Sequence, residues 1–163
     1  NWLLPSELTV NQIEELLVSW QLAARRAVEA DFAAIELHFA HGYLLHQFLS
    51  PLSNHRGDSF GGSLEGRMRF PLEVVESVRA VIPKDMPLFV RISAVDGVDC
   101  GWTLQDTLMF SKRLCDLGVD VIDCSSGGML GSPTASSVFR KSGFQVPFAS
   151  AVRQAVDVST MTV

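Results

Sequence analysis

The sequence predicts an α/β fold in which helices alternate with the strands of one parallel sheet. Segments with apolar residues at helical spacing alternate along the chain with short, continuously apolar runs, which are typical of buried strands. No break in composition and no linker divides the 163 residues, so we expect residues 1–163 to belong to a single structural unit.

The first two helices are predicted from their start signals. A capping-box pattern begins at Thr9 and precedes a helix over residues 10–30. Ser63 can cap a second helix that runs to about Val81. Pro71 lies inside this second segment, and because proline lacks a backbone N–H, we expect the first turns to be separate or kinked.

Two further helices follow in the second half of the chain. Thr103 is expected to cap a helix that continues through Leu117 and ends at Gly118, the usual C-terminal glycine position. A polar stretch rich in Gly and Ser then leads to a helix over residues 146–155.

Apolar runs between these helices predict the strands. Their ranges are residues 33–39, 87–94, 119–124, and a last strand that begins at 160–163. The segment 42–62 is longer than most connections in compact domains and contains one proline, Pro51, and a Gly-Gly pair. We expect it to be an ordered, functional loop that includes a helical turn.

Two architectures fit this alternation: an open doubly wound sheet, or an arc of a (β/α)8 barrel. Both place their chemistry at the C-terminal ends of the strands. The chain has neither a GxGxxG loop nor a GxxxxGK[ST] loop, so the nucleotide-binding form of the open sheet loses its usual support.

Composition excludes several classes of partner. A net charge of −5 argues against nucleic acid, because phosphate binding requires clustered Lys and Arg. No apolar run approaches the roughly 20 residues of a membrane span. The three cysteines lack CxxC spacing and fit reduced intracellular thiols, so a cytoplasmic location is expected.

The segment 35–43 carries the most distinctive polar groups. His38 and His41 lie where the first strand ends, and Tyr43, the only tyrosine of the chain, follows directly. Two imidazoles and a phenol can bind a carbonyl oxygen and supply a proton, which is reductase chemistry rather than hydrolytic chemistry. The competing interpretation is that each is an ordinary solvated or hydrogen-bonded side chain.

A metal site is a further alternative, because His46 lies close in sequence to His38 and His41. A metal-assisted lyase or hydrolase could use these three ligands. No Asp or Glu completes a recognisable ligand spacing, so no metal is predicted.

Arg91 is a charged residue within the apolar run 87–94. A guanidinium in a buried strand is costly unless it is paired. It should therefore meet a ligand, or form an internal salt bridge to Glu36 or Asp123, and the sequence leaves both open. The turn 125–128, Ser-Ser-Gly-Gly, could present backbone amides to an anion.

Taken together, these segments resemble the Old Yellow Enzyme family of FMN-dependent ene-reductases and NAD(P)H:flavin oxidoreductases. The densest match is HFAHGYLLHQFLSPLSNHRGD, residues 38–58, and GGS at 61–63 and RMRF at 67–70 continue it. Further landmarks are PSELT at 5–9, FVRIS at 89–93, DCSSG at 123–127 and QVPFA at 145–149. A His-His pair, rather than His-Asn, is similar to the thermophilic-like branch.

The resemblance implies a TIM barrel that binds FMN at the C-terminal mouth and takes electrons from NADH or NADPH. By position, His38 and His41 would bind the carbonyl oxygen of a small-molecule enone, with His38 also close to the flavin. Reduced FMN would deliver hydride to the β-carbon, and Tyr43 would protonate the α-carbon. Arg91 would lie against the flavin pyrimidine edge.

Four positions depart from the family pattern, one of them Ala33, which stands where the family usually has Asp. Phe60 stands where the family usually has Tyr, and Gly66 stands where it usually has Asn. Asp31 replaces a common Gly, which predicts a backbone conformation that suits glycine better.

A TIM barrel needs about 250 residues, so the resemblance implies that this chain is a partial barrel, about strands 4 to 7 with their helices. We expect the full protein to be the reductase, compatible with a homo-oligomer, and this segment alone to be inactive and to self-associate. The competing hypothesis is a catalytically inert, truncated barrel remnant.

Overall fold

The computed structural model describes residues 6–129 and 141–162. Its helices and strands follow one another in the predicted alternation. In chain order they are α1 (Val10–Glu29), β1 (Ile35–Phe39), α2 (Leu44–Leu49), α3 (Leu64–Arg79), β2 (Leu88–Ser93), α4 (Leu104–Asp116), β3 (Val121–Ser125), α5 (Val146–Ala155) and β4 (Ser159–Thr162). The polar Gly/Ser stretch predicted before α5 falls largely outside the described residues.

The four strands form one parallel sheet in the sequential order β1-β2-β3-β4. A doubly wound open sheet reverses its strand order at a switch point, whereas a barrel adds each strand beside the previous one. The order of the described strands is therefore that of a barrel arc. It decides between the two architectures that the sequence left open.

The apolar core lies between the sheet and the helices. Leu37, Val90 and Ile122 are register partners or neighbours on successive strands, and all three are buried. Phe70 of α3 and Phe110 of α4 are fully buried against this face. The helices thus cover one side of the sheet, and the other side carries the polar residues described below.

The predicted caps are present. Thr9 and Thr103 each form a complete capping box, and the Ser63 hydroxyl accepts a hydrogen bond from the Gly66 N–H. Gly118 follows α4 with φ 79°, the left-handed conformation that ends many helices. These local signals are the reason that the observed helix starts agree with those predicted from sequence.

Of the two expectations for the second helix, separate or kinked first turns, that of separate turns is wrong. α3 is a single helix with Pro71 in its interior, and Pro71 is buried. Proline removes one hydrogen bond, to the carbonyl four residues earlier, and burial of the surrounding apolar face outweighs that loss.

Asp31 has φ 61°, so it occupies the left-handed region that its replacement of a glycine predicts. The Asp31 N–H donates to the Val28 carbonyl, which closes the turn after α1. Asp is among the few non-glycine residues that adopt this conformation with moderate strain.

Candidate active site

His38, His41 and Tyr43 come together at the C-terminal end of β1. The ring centroids of His38 and His41 are 5.2 Å apart, and those of His38 and Tyr43 are 5.3 Å apart. The Tyr43 side chain is 64% exposed. The structure therefore brings together two imidazoles and a phenol, all three singled out from the sequence.

Arg91 lies beside His38 on the same face of the sheet. His38, Arg91 and Asp123 are register partners on three successive strands, so their side chains project from the sheet at one level. Arg91 Nε is 3.2 Å from Asp123 Oδ2. Of the alternatives for Arg91, the internal ion pair with Asp123 is present.

This ion pair leaves two polar atoms unsatisfied. Arg91 Nε and Asp123 Oδ1 are buried and make no hydrogen bond within the described part of the chain. The Asp123 side chain is 1% exposed and that of Arg91 is 27% exposed. A partly open guanidinium beside the His38 ring could donate to an electron-rich ligand edge, so the donor set here fits the pyrimidine edge of a flavin.

Both imidazoles of the cluster are expected to be neutral at neutral pH. Burial lowers the pKa of His38, and the nearby Arg91 charge lowers it further. Burial likewise lowers the pKa of His41, with added repulsion from His38 and Arg91. A neutral imidazole has one N–H donor, so the two rings can offer one hydrogen bond each to a shared acceptor.

The two carboxyl groups on this face are affected in the opposite direction. Burial raises the pKa of Glu36, and repulsion from Asp123 adds to the effect. Burial also raises the pKa of Asp123, although the Arg91 charge opposes the change. Both carboxyl groups therefore titrate above their ordinary range.

His41 lies in a turn that two serines hold. Its backbone has φ 60°, and its N–H donates to Ser93 Oγ at 3.0 Å. Its ring Nε2 is 2.6 Å from Ser125 Oγ. Ser93 and Ser125 end neighbouring strands and are register partners, so the sheet itself sets the position of the imidazole.

Close backbone packing fixes the same turn from the other side. A Cβ atom on Gly42 would lie 2.3 Å from the Gly128 carbonyl oxygen, and one on Gly128 would lie 2.2 Å from His41 Cα. The loops after β1 and β3 can approach this closely only because both positions are glycine. The turn 125–128 therefore has a packing role. The Gly127 N–H donates to the Val95 carbonyl, so it is not free for an anion.

His46 does not join the other two histidines as a ligand set. The Gly42 N–H donates to its Nδ1 at 2.9 Å, and its Nε2 is 2.8 Å from Asp96 Oδ1. With both ring nitrogens engaged, His46 has none left for a metal. Within residues 6–129 and 141–162, no cluster of three or more His, Cys, Asp or Glu side chains is arranged to hold a metal ion.

Sequence reasoning missed Ser93 and Asp96. Both follow the apolar core of β2, where the predicted strand ends, and both contact residues about 50 positions away in sequence. Their position at a strand end is the one signal that marks them.

None of the helices in the described ranges is long and apolar enough to span a membrane.

Solved structures share this fold. A histamine dehydrogenase from a Rhizobium species matches 95% of this chain with a TM-score of 0.81 and 28% identity, and the match covers 22% of that chain. The old yellow enzyme homologue from Zymomonas mobilis matches 95% with a TM-score of 0.69 and 28% identity, over 49% of its length. Morphinone reductase in complex with tetrahydroNAD matches 97% with a TM-score of 0.76 and 25% identity, over 40% of its length.

Sequence relatives point to the same group. The NADPH dehydrogenase of Bacillus velezensis is 49% identical over 156 residues, and that of Bacillus subtilis is 46% identical over 156 residues. Each alignment covers 96% of this chain and 44% of the relative, so the chain spans less than half the length of these proteins. The profile of one family matches residues 1–163 from end to end. The chain, a partial TIM barrel, belongs to the NADH:flavin oxidoreductase / NADH oxidase family.

Proposed function

We propose that the protein containing this chain is an FMN-dependent NAD(P)H oxidoreductase that reduces the C=C bond of α,β-unsaturated carbonyl compounds. Its partners would be a small-molecule enone and NADH or NADPH, with neither nucleic acid nor membrane involved, and it could act as a homo-oligomer in the cytoplasm. The curated relatives named above are NADPH dehydrogenases, and a similar solved structure holds tetrahydroNAD, which supports the nicotinamide part of the proposal.

The observation that carries the proposal is the grouping of two neutral imidazoles and a phenol beside a guanidinium. The His38 ring is 5.2 Å from the His41 ring and 5.3 Å from the Tyr43 ring, and Arg91 is its register partner on β2. A metal-dependent hydrolase would need a third ligand in place of the phenol, and His46 is engaged elsewhere.

In this proposal His38 and His41 each donate one N–H to the carbonyl oxygen of the enone. Two donors on one oxygen withdraw electron density from the conjugated system and make its β-carbon electrophilic. Because both rings are neutral, they stabilise developing negative charge without first transferring a proton. Their work is to bind and polarise the substrate.

Tyr43 is the proposed proton donor to the α-carbon. A phenol is a suitable acid for a carbon that gains carbanion character, provided that it is aimed at that carbon. Tyr43 immediately follows the turn at His41 and Gly42, so the same backbone segment sets the positions of the acid and of one carbonyl donor. Tyr43 is exposed in this chain, so its phenol is accessible to a substrate.

Arg91 and His38 are the residues of this chain proposed to hold FMN. The guanidinium would donate to the pyrimidine edge and neutralise negative charge there, while the ion pair with Asp123 on the neighbouring strand would fix its direction. When bound, FMN supplies the two-electron chemistry, accepting hydride from NAD(P)H and passing it to the β-carbon.

Purification of the full-length protein tests this function. We expect a flavin absorption spectrum that NADPH or NADH bleaches under anaerobic conditions and that cyclohexenone restores, with cyclohexanone as the product. A protein that is bleached but never reoxidised by an enone contradicts the proposed substrate class. A full-length protein without flavin, even after addition of FMN, would favour the inert remnant, and stoichiometric zinc would favour the metal-assisted alternative.

A further inference from the structure

His46 is fully buried and touches none of the groups assigned to substrate or flavin, yet it contacts the turn that carries them. Its Nδ1 lies 2.9 Å from the backbone nitrogen of Gly42, the residue between His41 and Tyr43. Its Nε2 lies 2.8 Å from Asp96 Oδ1, and both side chains are completely shielded from solvent. A buried histidine with both ring nitrogens in hydrogen bonds, next to the turn that carries His41 and Tyr43, requires an explanation.

The direction of these hydrogen bonds fixes the protonation of the ring. A backbone N–H can only donate, so Nδ1 must present a lone pair to Gly42. The single proton of a neutral imidazole is then on Nε2, which donates it to Asp96 Oδ1. His46 is therefore held as the Nε2–H tautomer, and the protonated ring, with donors on both nitrogens, is incompatible with the Gly42 contact.

Asp96 is itself anchored on its second oxygen. The Ser50 hydroxyl donates to Oδ2 at 2.6 Å, and the Trp102 backbone N–H donates to the same oxygen at 2.7 Å. Burial acts to raise the pKa of Asp96, but the hydrogen bonds that it accepts outweigh this and hold that pKa below its usual range. The carboxylate thus stays ionised inside the protein and keeps the His46 ring in one orientation.

The turn at His41 and Gly42 needs such support. Two consecutive residues have positive φ, 60° and 77°, and His41 has a side chain that makes this conformation costly. Besides His46, the turn is held by Ser93 Oγ on the His41 N–H and by Gln47 Nε2 on the Gly42 carbonyl. The hydrogen bond from Gly42 to His46 is the one of these three that is backed by a buried carboxylate.

We propose that His46 is a positioning residue, in which the hydrogen-bonded chain Asp96–His46–Gly42 holds the turn that aims His41 and Tyr43 at the substrate. The inference rests on the proposed function, because it assigns His46 a purpose in that reaction. It replaces the metal-ligand hypothesis for this histidine. The His46 imidazole connects the loop after β1 with the loop after β2. Movement of either loop would therefore shift His41 relative to the carbonyl oxygen that it is proposed to bind.

Two substitutions separate the two ring nitrogens. In His46→Asn, the amide oxygen can take the place of Nδ1 and accept from Gly42, while the contact with Asp96 is lost. In His46→Gln, the amide nitrogen can take the place of Nε2 and donate to Asp96, while a methylene group faces Gly42. His55→Gln, at an exposed histidine on the following loop, is the matched control.

The probe is cyclohexanone, which has a carbonyl oxygen but no reducible alkene. Its binding to the oxidised, full-length holoenzyme is followed by the change in flavin absorption. We expect the dissociation constant to equal that of wild type for His55→Gln, to rise about threefold for His46→Asn, which loses the backing by Asp96, and to rise about tenfold for His46→Gln, which loses the contact with Gly42. Cyclohexenone turnover should fall in the same order of variants. The rate of flavin reduction by NADPH, measured separately, shows which of the two half-reactions is slowed.

Equal weakening in the Asn and Gln variants would overturn the proposal, as would wild-type binding by His46→Gln. If neither variant folds, nitrogen NMR of the histidine-labelled wild-type holoenzyme decides: the Nε2–H tautomer at His46 supports the proposal, and the Nδ1–H tautomer refutes it. Failure of the wild-type protein to reduce any enone would refute the proposed function, whereas the tautomer is measured independently of turnover.

Discussion

Arg91 and Asp123 are register partners on neighbouring parallel strands, and Arg91 Nε lies 3.2 Å from Asp123 Oδ2. The carboxylate is buried, and its Oδ1 has no hydrogen-bond partner within the described ranges. Asp123 therefore offsets part of the positive charge that Arg91 would present to a flavin. The strength of that offset is open to measurement.

Asp123→Asn removes the negative charge and leaves the guanidinium unopposed. Because reduced flavin carries more negative charge at its pyrimidine edge than oxidised flavin, the variant should have a higher midpoint potential. We expect an increase of roughly 30 mV, equivalent to about 1.4 kcal/mol for a two-electron couple. Anaerobic titration of the full-length holoenzyme against reference dyes measures it.

Asp116→Asn is the control for this experiment. Asp116 is the exposed last residue of α4, on the helical side of the sheet, and its substitution removes the same formal charge. Its potential should equal that of wild type. Identical shifts in both variants would mean that net charge, rather than the pair with Arg91, determines the potential.

Tyr43→Phe should separate the two half-reactions. Loss of the phenol removes the proposed proton donor to the α-carbon, so reoxidation of reduced enzyme by cyclohexenone should slow by about 10² to 10⁴-fold. Reduction by NADPH should stay near the wild-type rate, because hydride transfer from the nicotinamide needs no proton from Tyr43. Stopped-flow absorbance of the flavin gives both rates.

The thermal stability of Tyr43→Phe should match that of wild type, because the side chain is exposed and keeps its ring. Reduction and reoxidation slowed by the same factor would remove Tyr43 from the role of acid and assign it to binding.

Local signals made much of the fold predictable from sequence. The capping boxes at Thr9 and Thr103 and the cap at Ser63 fixed three helix starts. Each depends on residues three positions apart, which any reader of the sequence can see. The predicted and observed ends of the strands differ by one or two residues. The reason is that the apolar runs of the sequence do not coincide with the residues that form hydrogen bonds between strands. β3, for example, was predicted over 119–124 and is observed over Val121–Ser125.

The arrangement of the site was less accessible. His38, His41, Tyr43 and Arg91 were chosen from their residue types and their places at strand ends or in strands. The groups that hold the turn at His41, Ser93 directly and Asp96 through His46, act across about 50 residues of sequence, and nothing local indicates such contacts. His46 shows the same limit. Its spacing suggested a ligand, and the fold engaged both of its nitrogens in hydrogen bonds.

The lowered pKa of His38 predicts a pH-dependent stability. Its folded-state pKa lies below the ordinary value of 6.5, because burial and the Arg91 charge disfavour protonation. Between the two values the unfolded chain binds more protons than the folded protein, so the free energy of unfolding must fall as pH falls below about 6.5. His38→Gln should make this slope shallower in urea unfolding of the full-length protein between pH 5 and pH 7.

His55→Gln is again the control, since His55 is exposed and outside the cluster. It should keep the wild-type slope. A slope that is unchanged in His38→Gln would show that His38 titrates alike in the folded and unfolded states.

Gly66→Ala should destabilise the protein even though it replaces glycine inside a helix. The exchange normally stabilises a helix by about 1 kcal/mol. Here, however, a Cβ at position 66 would lie 2.1 Å from the carbonyl oxygen of Gly61, a backbone atom that cannot move aside without shifting the loop. We expect a net loss of about 1–3 kcal/mol in the free energy of unfolding, measured with urea on the full-length protein.

Gly57→Ala serves as the control, because a Cβ there meets nothing within 4 Å, and its stability should remain within about 0.5 kcal/mol of wild type. A more stable Gly66→Ala variant would mean that the loop yields readily and that glycine is not required at position 66.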